Sequence, residues 1–281
     1  MKKTFYFFTL LLLTGMVCAC GKSDPEPTLN AEPLYSQPAP TLSPFAEIDG
    51  RGNIELAQWK KEAIEPFTER LSAKPTALIY HTHVTEAYYP EDSSEYEQTE
   101  KWRTLDAENN MARVGRALAE ALRAVGFIVY HDEANVEEPD LNTAYRRSLE
   151  VMRRYEGVDV YVDLHRNAGN IKTQRDDVAV IDGKRCARIF FVVGAGIGSY
   201  EGEYDQLPVW EKNYAFAQAV LSRLENIRSG LTRPTQLKIG RYNQHIGLSL
   251  LVELGHNANT LEEALNSVPY LARAIAEAVG V

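Results

Sequence analysis

Short apolar runs of strand length recur along this chain, separated by segments of helical period, and that alternation leaves few folds open to it. The runs are Ala77-Leu78-Ile79-Tyr80, Phe127-Ile128-Val129-Tyr130, Val158 to Leu164 and Leu248 to Leu254. Between the first two, Met111, Val114, Leu118, Leu122 and Val125 repeat at helical spacing, and Gly126 ends the pattern. Further helices are expected over Tyr145–Arg154, Trp210–Asn226 and Thr260–Ala278, the last with Pro269 as a point of interruption. Val178–Ile181 and Ala187–Val193 read as two strands joined through Asp182-Gly183-Lys184, a hairpin signal. Strands apolar on both faces, alternating with helices, predict an α/β class: a three-layer, mainly parallel sheet flanked by helices.

The beginning of the chain reads differently. Lys2 and Lys3 precede an unbroken apolar run from Phe5 to Val17, shorter than the ~20 residues of a membrane span. It has the n-region and h-region of a secretory signal. Val17-Cys18-Ala19-Cys20 resembles the lipobox of bacterial lipoproteins, with cleavage before Cys20 and a lipid on its thiol. Ordinary signal cleavage, with both cysteines as bystanders, is the alternative. The division expected is a signal over 1–19, a Pro-rich tether over 20–50, a helical lead-in over 51–75 and a catalytic domain over 76–281. The lead-in rests on Trp59, Ile64, Phe67 and Leu71 as apolar points. Such a chain would stand outside the cell membrane, anchored to its outer face by lipid. Cys186, the one remaining thiol, has no partner for an internal disulfide and is expected to pack as a small apolar residue.

Thirty basic against 39 acidic residues, a net charge of −9, argue against a general nucleic-acid binder. The chemistry concentrates where three expected strands end. The first runs into His81-Thr82-His83-Val84-Thr85-Glu86, the third into Asp163-Leu164-His165-Arg166, and the last carries Glu253 ahead of Gly255. In open α/β sheets, ligands bind at such ends. Imidazole and carboxylate donors suit zinc, and three protein ligands leave one position for water. His83, Glu86 and His165 are the candidate ligands, and Glu253 is the candidate general base. The plainer alternatives are a capping or surface role for His83, a charge partner to Asp163 for His165, and a salt bridge to Arg241 or Lys238 for Glu253. His81, two residues before His83, is assigned to the core or to support of a ligand. Arg166, Arg241 and His245 are candidate oxyanion donors, with His245 preferred for its place just before the Glu253 strand.

Five segments in order resemble the stage II sporulation protein P family of cell-wall hydrolases. They are Leu78 to Tyr88; Arg103-Thr104-Leu105-Asp106 leading to Asn110–Gly115; Asp163-Leu164-His165-Arg166; Arg241-Tyr242-Asn243-Gln244-His245; and Leu251–Gly255 with Asn259–Ala264. The resemblance implies the fold of zinc-dependent N-acetylmuramoyl-L-alanine amidases, related to metallocarboxypeptidases. It implies peptidoglycan as substrate, Zn2+ as cofactor, and a role in septal-wall thinning and engulfment during sporulation. A lytic transglycosylase and a membrane protein are the implied partners. In the amidase relatives the carboxylate ligand lies just before the first helix, which makes Asp106 an alternative to Glu86. The chain departs from the family pattern in its lipobox, in Asn167 where an acidic residue is usual, in Ile246-Gly247-Leu248, and in His256. Two other functions stay open: a zinc carboxypeptidase or cross-link endopeptidase using the same residues, and a non-catalytic wall-binding lipoprotein.

Overall fold

Eight strands form the central sheet, in the order β1-β2-β9-β8-β10-β5-β3-β4. In a computed structural model of the chain, residues 43–90, 96, 97, 99, 102–197 and 210–281 are described. The signal, the lipobox with Cys20, and residues 20–42 of the expected tether lie outside the described residues. The strands are β1 (Phe45–Ile48), β2 (Asn53–Leu56), β3 (Thr76–Tyr80), β4 (Ile128–His131), β5 (Val160–Asn167), β6 (Val178–Ile181), β7 (Lys184–Ala187), β8 (Ile189–Gly194), β9 (Gln236–Lys238) and β10 (Leu248–His256). The helices are α1 (Gln58–Ala63), α2 (Met111–Ala124), α3 (Ala144–Arg154), α4 (Ile171–Gln174), α5 (Trp210–Ile227) and α6 (Leu261–Val279). Among the described residues no helix is long and apolar enough to cross a membrane.

The sheet is parallel where the site lies. β4, β3, β5 and β10 run parallel in sequence across it, as do β8 and β9. β8 is antiparallel to β10, and β1, β2 and β9 add an antiparallel edge. Alternation along each strand sends side chains to opposite faces. Ala77, Ile79, Val160, Val162, Leu164, Leu250, Val252 and Leu254 join the large core that contains the buried faces of α2, α5 and α6. Leu78, Tyr80 and Tyr161 pack on the other face with Val151 and Met152 of α3. That second face is thinly covered, and Asp163, His165 and Glu253 share its alternation.

The expected helices form with small shifts at their ends. Asn110 caps α2 by accepting the Ala112 N–H at 2.9 Å, worth ~1 kcal/mol. A capping box between Thr260 and Glu263 starts α6. Pro269 does not interrupt α6. Its cost of about 3 kcal/mol is outweighed by burying Val268, Leu271, Ala272 and Ile275 around it, the larger side chains contributing ~1.5–3 kcal/mol each.

Three expectations are corrected. The tether does not reach residue 50, because Phe45–Ile48 pairs with β2 and joins the sheet edge. The 51–75 segment is not a helical lead-in: only Gln58–Ala63 is helical, and Pro66 stands just beyond, where its ring disfavours helix in the residue before it. Ile64, Phe67 and Leu71 still pack against the core, from a chain without regular structure. The Asp182-Gly183 hairpin is shorter than expected. Lys184–Ala187 pairs with β6, and the chain then enters the main sheet as β8. Cys186 is buried as a small apolar residue.

A buried imidazole pair ties the ends of β3, β4 and β5 together behind the site. His81 Nδ1 lies 2.9 Å from the Leu164 carbonyl, and His81 Nε2 lies 2.9 Å from His131 Nε2. Burial holds both rings neutral, with His81 lowered to about 4 and His131 to about 3. A neutral His81 donating to a carbonyl through Nδ1 must accept at Nε2, so His131 donates through Nε2–H. The pair fits only because position 115 of α2 has no side chain. A Cβ on Gly115 would stand 2.3 Å from His131 Nε2 and 2.6 Å from His81 Nε2. Gly115→Ala should therefore destabilise by roughly 1–3 kcal/mol, although the same change in a helix of ordinary surroundings stabilises by up to ~1 kcal/mol. Urea unfolding checks this, and His131→Ala in the same chain should recover part of the loss. A stabilised Gly115→Ala would contradict the packing.

Candidate active site

β3, β5 and β10 deliver the polar residues to one place because their registers align. Tyr80 pairs with Asp163, Leu251 with Asp163, and Glu253 with His165. The irregularity in β10 after Glu253 needs Gly255, whose φ is +70°. A Cβ there would meet Asn259 Oδ1 at 2.6 Å. Thr82 ties the exit of β3 to β5: its N–H and hydroxyl donate to the two oxygens of Asp163, at 2.8 and 2.7 Å.

His83, Glu86, His165 and Glu253 fall together. The His83 and His165 rings stand 5.3 Å apart, edge to face. Glu86 Oε2 is 3.7 Å from His165 Nδ1 and accepts the Arg166 N–H at 3.2 Å. Each imidazole also faces a second carboxylate. His165 Nε2 is 2.8 Å from Asp163 Oδ1, and His83 Nδ1 is 3.5 Å from Glu137 Oε1. Glu137 is held in turn by Arg103 at 2.8 Å and by the Thr85 hydroxyl. Arg103 and Arg166 both lie 3.6 Å from Glu86 Oε1.

The charges do not balance. Glu86, Glu137, Asp163 and Glu253 oppose the two arginines, so the cluster has an excess of carboxylates. Burial would raise Glu86, but His165 and Arg166 outweigh it and hold the carboxyl at about 2. Asp163 and Glu137 are lowered in the same way, by His165 and by His83 respectively, against burial. Burial would lower His165, yet Asp163 and Glu86 drive it well above the usual imidazole range. Glu253 goes the other way. Its Oε2 is shut off from solvent, and burial pushes the carboxyl up to about 7 against the pull of His165.

Among the described residues no three His, Cys, Asp or Glu side chains converge on a single point as ligands. The donor set nonetheless fits a divalent metal. His83 Nδ1, His165 Nε2 and Glu253 Oε2 are buried without an aligned hydrogen bond. Imidazole and carboxylate are donors that zinc takes, and a divalent ion would offset the excess of carboxylates.

The other residues singled out in the sequence stand elsewhere. Asp106, the alternative carboxylate, is exposed and accepts from the Glu108 N–H and the Asn109 amide at 2.9 and 2.7 Å, closing the turn before α2. Arg166 is buried with its donors committed: Nε to the Ala87 carbonyl at 2.9 Å and Nη2 to the Trp102 carbonyl at 2.7 Å. It clamps the Glu86 segment and is not placed as an oxyanion donor. His245 is half-buried on the turn before β10. His165 does face Asp163, so its plainer role and its place in the cluster coexist.

A profile of the stage II sporulation protein P (SpoIIP) family matches residues 31–276. The chain belongs to this family. The SpoIIP of Bacillus subtilis (strain 168) is 25% identical over 256 residues, which cover 81% of this chain and 59% of that protein. The match thus spans somewhat over half the length of the curated relative. Among solved structures, the catalytic domain of the CD27L endolysin targeting Clostridia difficile is similar at 15% identity and a TM-score of 0.44, covering 73% of this chain and 96% of that one. The CwlD amidase of Clostridioides difficile, solved with the GerS lipoprotein, is similar at 14% identity and a TM-score of 0.41, covering 73% and 94%.

Glu137 was invisible in the sequence of this SpoIIP family member. It lies in the acidic stretch Asp132 to Asp140, which reads as a solvated charge run. Arg103 belongs to a family segment, but only the structure gives it a task. If the cluster holds zinc and Glu137 orients His83, Glu137→Gln should lower zinc affinity by about 10–100-fold while the fold persists. Competition with a chromophoric chelator measures this, and unchanged affinity would mean that Glu137 serves only the Arg103 ion pair.

Proposed function

We propose that this chain is a zinc-dependent N-acetylmuramoyl-L-alanine amidase that cuts the amide between the muramic-acid lactyl group and the L-alanine of the peptidoglycan stem. The observation that carries this reading is the joint placement of His83, Glu86, His165 and Glu253 within a carboxylate-rich cluster, in a chain of the SpoIIP family. His83, Glu86 and His165 would hold the metal. Zinc, when bound, polarises the scissile carbonyl and acidifies water. Glu253 is suited to proton transfer because its carboxyl titrates near neutrality, where a general base and acid works best. It would take the proton that the attacking water gives up and pass it to the leaving amine nitrogen. Asp163 and Glu137 would hold the two imidazoles in orientation, and Arg103 and Arg166 would fix Glu86.

The extracytoplasmic placement belongs to the same reading. A lipid on Cys20 would fix the chain to the outer face of the cell membrane, and residues 21–42 would let the domain reach the wall. Cys20→Ser should move the protein from the membrane fraction to soluble or unprocessed forms. Unchanged membrane association and mobility would count against the anchor. Sporulation is the setting that the family suggests.

Two substitutions separate the base from the ligands. Glu253→Gln should keep its zinc and lose about 10²–10⁴-fold in turnover. Glu86→Gln should lose zinc first, with activity partly restored by added metal. Product analysis on purified peptidoglycan, with and without chelator, reads the reaction itself: stem peptides beginning in L-alanine are expected. If only cross-links between stems are cut, the activity is that of an endopeptidase. If Glu253→Gln loses zinc and Glu86→Gln keeps it, the two roles are reversed.

A further inference from the structure

Hydrolysis of an amide puts negative charge on the carbonyl oxygen, and a hydrogen-bond donor aimed there lowers the barrier. Arg166 does not serve, since its guanidinium is spent on the Ala87 and Trp102 carbonyls. Tyr145 stands beside His83 at the edge of the cluster. It occupies the first turn of α3, on the thinly covered face of the sheet. Its ring meets His83 edge to face at 5.8 Å and Tyr242 at 5.5 Å. It is half-buried, and no bond to its hydroxyl is formed among the described residues.

The backbone around Tyr145 is pinned from two directions. Asn243 donates through Nδ2 to the Tyr145 carbonyl and to Ser148 Oγ, both at 2.8 Å. Ser148 Oγ lies 2.8 Å from the Thr82 hydroxyl, which donates to Asp163. The start of α3 is thereby fixed to the same carboxylate that faces His165. Asn243 reaches it from a turn in which both Tyr242 and Asn243 are left-handed, with φ of +51° and +54°. Left-handed backbone costs about 1–3 kcal/mol at a residue such as tyrosine and collects at functional sites.

We propose that Tyr145 is the substrate-facing donor of this site, its hydroxyl hydrogen-bonding the carbonyl oxygen of the scissile amide as charge develops there. This rests on the hydrolytic reading above. In the step, the water oxygen bonds to the carbonyl carbon and the C–N bond breaks. The proton from water goes through Glu253 to the leaving nitrogen, and Tyr145 keeps its own. A phenol, with an ordinary pKa of about 10, carries its proton at neutral pH and can donate it in a hydrogen bond.

Tyr145→Phe in the full, zinc-loaded chain tests this. It removes one hydroxyl and keeps the ring against His83. Zinc content and unfolding midpoint should match wild type, and KM should hold while kcat falls by about 10²–10³-fold. A phosphinate analogue of the scissile amide, whose charged oxygen mimics the reacting one, should bind more weakly by a similar factor. Binding of the intact muramoyl dipeptide should not change. A wild-type kcat in Tyr145→Phe, or equal weakening of both ligands, overturns the proposal. If wild type releases no stem peptides beginning in L-alanine, the amidase reading fails. The kcat comparison on the bond that the chain does cut still decides the role of Tyr145.

Discussion

An excess of buried carboxylates at the end of a parallel sheet is the constraint on which the rest of this structure depends. Glu86, Glu137 and Asp163 are buried, and Glu253 keeps one oxygen from solvent beside them. Ionised groups of one sign are costly in such a place unless something positive meets them. Arg103 and Arg166 supply part of that charge, and a protonated His165 supplies more. A divalent ion bound to His165 would displace that proton and supply positive charge in its place. The same imbalance divides the carboxylates by role. Glu86 is held ionised by His165 and Arg166, whereas Glu253 has burial and Glu86 against it and rises to about 7. One cluster thus holds a group suited to ligation and a group suited to moving protons.

The scaffold serves that cluster by fixing strand ends. The Thr82–Asp163 bonds, the His81–His131 pair in the space left by Gly115, and the Arg166 clamp each join a segment after β3 to β5 or β4. None of these residues needs to meet a substrate. They set where His83, Glu86 and His165 stand, and errors of about an ångström at a reacting centre are expensive.

Much of this was legible in the sequence. Strand and helix periods gave the α/β layers, because β3, β5, β10, α2 and α6 are long or strongly patterned. The polar residues at strand ends pointed to His83, Glu86, His165 and Glu253, which fall together in the cluster. The missed parts share one physical cause: their signals are not local. β1, β2 and β9 are three or four residues long and gain their pairing only from each other and from β8. Glu137 sits among other acidic residues, and only tertiary packing turns it toward His83. Arg166 looked like an oxyanion donor by its place beside His165, but its side chain was claimed by carbonyls 64 and 79 positions away in sequence. Asp106 and Glu86 were not separable by spacing; in the structure Asp106 closes an exposed turn, while Glu86 is buried beside His165.

The central claim is that this carboxylate excess belongs to a metal site built by His83, Glu86 and His165. Anomalous diffraction at the zinc absorption edge, on crystals of the zinc-loaded domain, tests it most directly. The account predicts one strong peak within about 2.0–2.2 Å of a nitrogen on each of His83 and His165 and an oxygen of Glu86, with Glu253 nearby but not coordinated. No peak in the cluster, or a peak bound by Asp106 or Glu253 in place of Glu86, would contradict it.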